Sequence, residues 1–177
     1  MQYLAIENIN DPHLPFVHEL YHSAFPLEER RDWTQLLKMI GKVPEMCFQV
    51  IKVEEKAIGF IISWIFGDWC FIEHFAIDPA NRGRKYGERV MQDFMKARKL
   101  LLEVEPPSSG DAIRRIGFYE RLGMNCLPFD YLQPSYRDRD VSYALVLMTN
   151  AKEREELYFS EIIRLVKKQV YLYHPVS

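Results

Sequence analysis

The sequence is short of several things, and each shortage excludes something. Net charge is only -2 over 177 residues, too little for a general attraction to polyanions, so nucleic acid is not expected as a partner. There are three cysteines, Cys47, Cys70 and Cys126, with no C-x-x-C pair. An odd, unpaired set fits a reducing compartment and argues against a disulfide framework or a zinc site. Cys47 and Cys70 fall in strand-like runs, where a cysteine is usually packing rather than a catalytic thiol. No apolar run is long enough to span a bilayer and no secretory leader opens the chain, so a cytoplasmic protein without a membrane partner is expected. Internal repeats and low-complexity linkers are missing too. So are the two common phosphate-binding signatures, G-x-x-x-x-G-K-[ST] and G-x-G-x-x-G, which makes ordinary nucleotide folds poor candidates.

What is present points to an α/β domain. Hydrophobic residues make up 48% and aromatics 14%, enough to fold and rich enough for a strand-heavy core. The length suits one domain with a ligand cleft. "YLAIENI" (3–9) reads as a first strand and "LPFVHELYHSAF" (14–25) as a helix, with Phe16, Val17, Leu20 and Tyr21 near helical spacing. "EERRDWTQLLKMI" (28–40) reads as a second helix. "MCFQVIKV", "AIGFIISWI" and "WCFIEHFAI" form a meander of three strands around the polar turn "EEK" and the turn "FGD". After "DPANRGRKYG" comes a helix, "ERVMQDFMKARK", with Val90, Met91, Phe94 and Met95 on one face. A buried strand "LLLEVE", a helix "DAIRRIGFYERLG" capped by Asp111 and stopped by Gly123, and a late strand "SYALVLMT" follow. Residues 1–150 are expected to form a single domain and 151–177 a helical extension. Phe159, Ile162, Ile163, Val166 and Val170 form the extension's apolar stripe, packed on the domain's own core or used in a homodimer contact.

Between Arg82 and Lys99 lie seven Lys or Arg against two acids, Glu88 and Asp93. Charge alone reads more plainly as a solvated helix face than as a pocket for a polyanionic small molecule. The local order is strand "IEHFAI", turn "RGRKYG", helix from about Glu88. That order gathers free backbone N–H groups at a helix N-terminus, where an anion is stabilised.

These motifs together resemble the GNAT superfamily, the acyl-CoA-dependent N-acetyltransferases. Its loop reads [RQ]-x-x-G-x-[GA] after a strand. Here Arg82-Gly83-Arg84-Lys85-Tyr86-Gly87 matches at Arg82 and Gly87, with Lys85 at the middle glycine. "AIDP" before the loop, "LLLEVE" after its helix and "IGFYERLGM" lie at the family's spacing. The resemblance is strong from Glu73 to Met124.

It implies a mixed central sheet flanked by helices, with an antiparallel N-terminal meander and a splayed parallel pair. It also implies acetyl-CoA as acyl donor and a small-molecule primary amine as acceptor. The cofactor arm would pair with the backbone of Phe75, Ala76 and Ile77. The diphosphate would meet the amides of Arg84, Lys85, Tyr86, Gly87 and Glu88, the side chains of Arg82, Arg84 or Lys85 would reach the nucleotide's phosphates, and Gly83 belongs to the same cofactor-binding loop. Lys85 is expected in helical backbone conformation, because the loop runs into a helix. Tyr119 falls on the family's thiolate-protonating tyrosine. A phenol ionises near pH ~10, so Tyr119 keeps its proton at neutral pH. Glu73 is the first choice for the base and Glu103 the second. His74 alternates with Glu73, so both should not face one cleft.

Ala112 replaces the family's arm-contacting Asn, and Arg115 a usual small residue. Glu28, Glu29 and Asp32 are candidates for attracting a cationic amine, and Tyr131 and Tyr136 for walling its cleft. A non-catalytic acyl-CoA sensor or scaffold stands as the alternative to an enzyme.

Overall fold

β-Branched and aromatic residues fill "MCFQVIKV" and "KAIGFIISWIF", and these strands form the centre of the molecule. In the computed structural model, which describes residues 1–172, β1 (Gln2–Ala5) leads to α1 (Leu14–Ala24). A 3-10 turn at Leu27–Glu29 and α2 (Trp33–Met39) follow. The meander is β2 (Met46–Val53), β3 (Lys56–Phe66) and β4 (Trp69–Ile77). Then come α3 (Tyr86–Ala97), β5 (Lys99–Val104), α4 (Gly110–Arg121), β6 (Asn125–Cys126), β7 (Tyr131–Pro134) and β8 (Ser142–Thr149). α5 (Glu156–Leu165) runs into a π-helical turn, Val166–Tyr171.

The strands make one sheet in the order β1-β2-β3-β4-β5-β8-β6, with β7 also on β8. Neighbours are antiparallel except the β4–β5 pair, which is parallel. The expected mixed sheet, antiparallel meander and parallel pair are all present.

β3 is buried on both faces, so layers must cover the sheet above and below. On one face Phe60 and Ile62 pack with Val17, Leu20 and Leu36 of α1 and α2. Further along that face, Trp64 and Phe71 pack with Phe159, Ile162 and Val166 of the C-terminal segment. On the other face Ile61 and Leu100 meet Val90 and Met91 of α3 and Ile116 of α4.

Three elements differ from the sequence reading. The second helix does not run from Glu28. It is broken at Arg30, which is extended, and restarts when Asp32 accepts the Gln35 N–H. The break lets Arg31 reach inward (below). The α4 cap is Ser109, which accepts from the Ala112 N–H, while Asp111 sits in the first turn and pairs with Arg114. "YLQP", unassigned in the sequence reading, is a short strand, β7. Among the described residues no helix is long and apolar enough to cross a membrane.

Phe159 is fully buried beside Trp69 and Phe129. Phe159→Ala should therefore cost about 3–5 kcal/mol, read as a lowered denaturant midpoint with unchanged slope.

Candidate active site

β4 and β5 pair from Trp69–Lys99 to Ile72–Leu102 and no further. Beyond that point the strands splay, and Glu73 and Glu103 are the first residues past the last pair. β3 pairs Ile62 with His74 and Ser63 with Ile72, so Glu73 is left over as a bulge. A bulge interrupts the alternation of a strand. Glu73 and His74 consequently line the same cleft, contrary to the expectation from strict alternation. The Glu73 side chain is only 1% exposed although the residue as a whole is partly exposed. What the bulge presents to solvent is backbone.

The Glu73 carboxylate is fully engaged. Arg31 donates from Nη2 to Oε1 at 2.9 Å, Tyr136 donates its hydroxyl to the same oxygen at 2.9 Å, and Trp64 Nε1 donates to Oε2 at 2.6 Å. Arg31 is itself 1% exposed. It also donates to the Val170 carbonyl at 2.5 Å and lies 4.9 Å from the Tyr136 ring centre. Burial alone would raise the Glu73 pKa, but Arg31, with His74 and Trp64, overrides it and holds the carboxyl below its ordinary range. His74 is fixed as well: Nε2 lies 3.0 Å from the Glu29 carbonyl, and a carbonyl only accepts, so Nε2 carries the proton. Burial lowers its pKa, which leaves a neutral, structural imidazole.

Glu103 is in a different state. Tyr131 donates to Oε1 at 2.5 Å and Tyr171 donates to Oε2. Burial pushes its carboxyl up, the two tyrosine hydrogen bonds and Lys167 oppose this, and the charge on Glu73 adds to the rise. The result is about 7.

A continuous groove runs from the α3 N-terminus to these carboxylates. Its first part is lined by Ile77, Arg82, Gly83, Lys85, Tyr86, Gly87, Glu88, Phe118 and Arg121. The next shares Ile77 and Arg82 and adds Phe75, Ala76, Glu73, Glu103 and Tyr119. β4 carries no β5 partner along Phe75–Ile77, so an extended chain can pair there. The first hydrogen bond of the loop helix runs from the Arg89 N–H to Lys85, which leaves the preceding amides of the turn for an anion. Gly87 packs its backbone against Phe118, Phe75 and Ile77, where a Cβ would make only ordinary contacts of 3.7–3.9 Å. These features fit a diphosphate with an extended arm.

Lys85 does not have helical backbone angles. Its φ is 58° and ψ 19°, in the left-handed region, beside Gly83 at φ 77°. The turn must reverse direction before α3, and the expectation of helical backbone is overturned. Tyr119 lines the groove without a hydroxyl partner among the described residues, and burial raises its pKa to about 12.

The groove opens into a cleft lined by Phe25, Glu28, Glu29, Glu73, His74, Glu103, Glu105, Arg115, Tyr136 and Tyr143, among others. Five glutamates face one arginine there, and that arginine, Arg115, pairs with Glu105 at 3.2 Å. Glu28 and Glu29 lie in the cleft as expected. Asp32 does not, being spent on the α2 cap. Tyr136 walls the cleft, whereas Tyr131 is buried beneath it on Glu103.

The family model for the acetyltransferase (GNAT) family matches residues 14–124, more than half the chain. The chain belongs to the GNAT acetyltransferase family. A GNAT-family protein of Bacteroides thetaiotaomicron, described as an acetyltransferase, is 31% identical, with each chain covered over 100% of its length and a TM-score of 0.90. The ribosomal-protein-S18-alanine N-acetyltransferase of Escherichia coli shares the fold at TM-score 0.57 and 20% identity, over 89% of this chain and 99% of that one. A spermidine N-acetyltransferase mutant of Vibrio cholerae does so at 0.61 and 12%, over 84% and 94%. No curated protein matches the sequence. As a GNAT enzyme the protein is an acyl-CoA-dependent N-acetyltransferase, a family that uses acetyl-CoA.

Sequence reasoning missed Arg31, Trp64 and Tyr171. The apolar stripe that ends at Val170 was the available signal for Tyr171. Nothing local marks Arg31, whose partner is 42 residues away.

A left-handed Lys costs about 1–2 kcal/mol relative to glycine, part of which glycine returns through the entropy of the unfolded chain. Lys85→Gly should leave the fold as stable as the parent or more stable by up to about 1 kcal/mol, read by thermal melting. A clear loss of stability would contradict the left-handed assignment. Glu103 binds its proton more tightly when folded, so its contribution to stability falls as pH rises from 4.5 through about 7. The advantage of Glu103→Gln over the parent in denaturant midpoint should therefore grow from pH 5 to pH 8.

Proposed function

We propose that the protein transfers an acetyl group from acetyl-CoA to a primary amine of a small cationic acceptor. The observation that carries this reading is the meeting, at Glu73 and Glu103, of a phosphate-fitted groove and an acid-lined cleft. The cleft's net negative charge draws an ammonium group in, and its aromatic walls take the remainder of a small molecule.

In this reading the backbone of Phe75, Ala76 and Ile77 holds the arm, and the amides from Arg84 to Glu88 hold the diphosphate. Acetyl-CoA, when bound, supplies the thioester acyl group. Glu103, poised near neutral pH, takes the proton from the ammonium or from the attacking nitrogen. Glu73, held ionised and charge-paired by Arg31, fixes the bulge, and Glu28 and Glu29 give the cleft its acidic lining. This reverses the order of preference between the two carboxylates suggested by sequence. Tyr119 Oη keeps its proton at neutral pH and would deliver it to the leaving sulfur, a role supported by its position along the groove.

The test is thiol release from acetyl-CoA with a panel of diamines, amino acids, aminoglycosides and an N-terminal peptide. Small cationic amines should turn over. Glu103→Gln should lower kcat by about 10²–10⁴-fold with little change in acetyl-CoA affinity by calorimetry, and Tyr119→Phe should also lower kcat at unchanged affinity. Turnover confined to the peptide would overturn the acceptor assignment. Full activity in Glu103→Gln would overturn the base.

A further inference from the structure

Two consecutive residues of the C-terminal turn reach both arms of the splayed strand pair. The Val170 carbonyl accepts from Arg31, the residue that holds Glu73 on β4. The Tyr171 hydroxyl donates to Glu103 on β5. The Tyr171 ring also lies 4.9 Å from that of Tyr136, the second donor to Glu73. Lys167 of the same turn sits 5.0 Å over the ring of Tyr131, the second donor to Glu103. The turn is π-helical, closed by the Leu172 N–H on Lys167, a rare geometry that often marks functional segments. The turn and both tyrosine donors to Glu103 lie beyond residue 124, where the family match ends.

We propose that Val166–Tyr171 is a clasp across the active-site carboxylates, and that Tyr171 is a positioning residue that, together with Tyr131, holds Glu103 as an acceptor at both oxygens. Each Glu103 oxygen faces a different tyrosine O–H. A protonated carboxyl would have to turn its own O–H toward one of these donors, so the pair favours the ionised form. The other charged groups around Glu103 are Glu73 on β4, Lys167 on the turn, Glu105 just past the end of β5 and Arg115 on α4. Lys167 works in the same direction as the tyrosines and Glu73 against them. The consequence for turnover rests on Glu103 being the base. The consequence for its protonation does not.

The experiment is an infrared pH titration of the whole protein without substrates, with Glu103→Gln identifying the protonated-carboxyl band. In Tyr171→Phe that band should persist about one pH unit higher than in the parent, and Tyr131→Phe should move it in the same direction. The low-pH limb of kcat/KM should follow, with the KM for acetyl-CoA unchanged. An unmoved band in both folded variants would overturn the clasp. A band that moves while the kcat/KM limb stays in place would support the clasp and sink Glu103 as the base. If Tyr171→Phe does not fold, the Tyr131→Phe titration decides alone, because it removes the other donor of the same pair.

Discussion

The ion pair between Arg31 and Glu73 is the constraint on which the rest of the site depends. Both side chains are 1% exposed, so neither charge has water to fall back on. A buried pair need not stabilise a fold relative to apolar residues, but removing one partner strands the other at a cost of about 3–5 kcal/mol. The surrounding structure is arranged to pair both charges, although the Arg31 Nε is buried without a hydrogen-bond partner. The chain leaves helical conformation at Arg30 so that Arg31 can turn in. Glu73 sits at a bulge, which lets it meet Trp64 and Tyr136 as well as Arg31. A carbonyl from the far end of the chain takes another guanidinium hydrogen. The shape of the fork between β4 and β5 therefore follows from an electrostatic requirement as much as from sheet geometry.

The groove also carries a change of sign along its length. At the α3 end Arg82, Lys85 and Arg121 surround free amides, with Glu88 as the one acid among the lining residues. At the cleft end five glutamates face Arg115. In the proposed reading a polyanionic donor and a cationic acceptor would be drawn to opposite ends, with the two carboxylates between them. Those carboxylates are kept apart in proton affinity by their neighbours. One is held ionised by a guanidinium. The other, with only phenols as direct donors, is left near neutrality.

Much of the fold was legible. β2, β4 and β8 fall on the apolar runs that announce them, because burial on a sheet leaves a direct mark on composition. The loop at Arg82–Gly87 and the tyrosine at 119 were legible through motif spacing. The bulge at Glu73 was not, since a bulge belongs to the pairing of two strands rather than to either one. Lys85 was misjudged because a helix following a turn says nothing about the backbone of the turn's last residue. The glycine expected at that position was the better guide. The partners of the two glutamates come from Arg31, Tyr131, Tyr136 and Tyr171, at separations of 42, 28, 63 and 68 residues. Such contacts leave no local pattern.

The contact between Arg31 and Val170 spans 139 positions of chain. During synthesis the N-terminal helices and the meander emerge first and can begin to pack. The guanidinium and carboxylate of the central pair are then already present. The carbonyl and the phenol that complete their surroundings, on Val170 and Tyr171, have yet to be made. The surroundings of the two carboxylates are therefore completed late, by closure of a very long loop whose entropic cost is met only when the C-terminal segment docks.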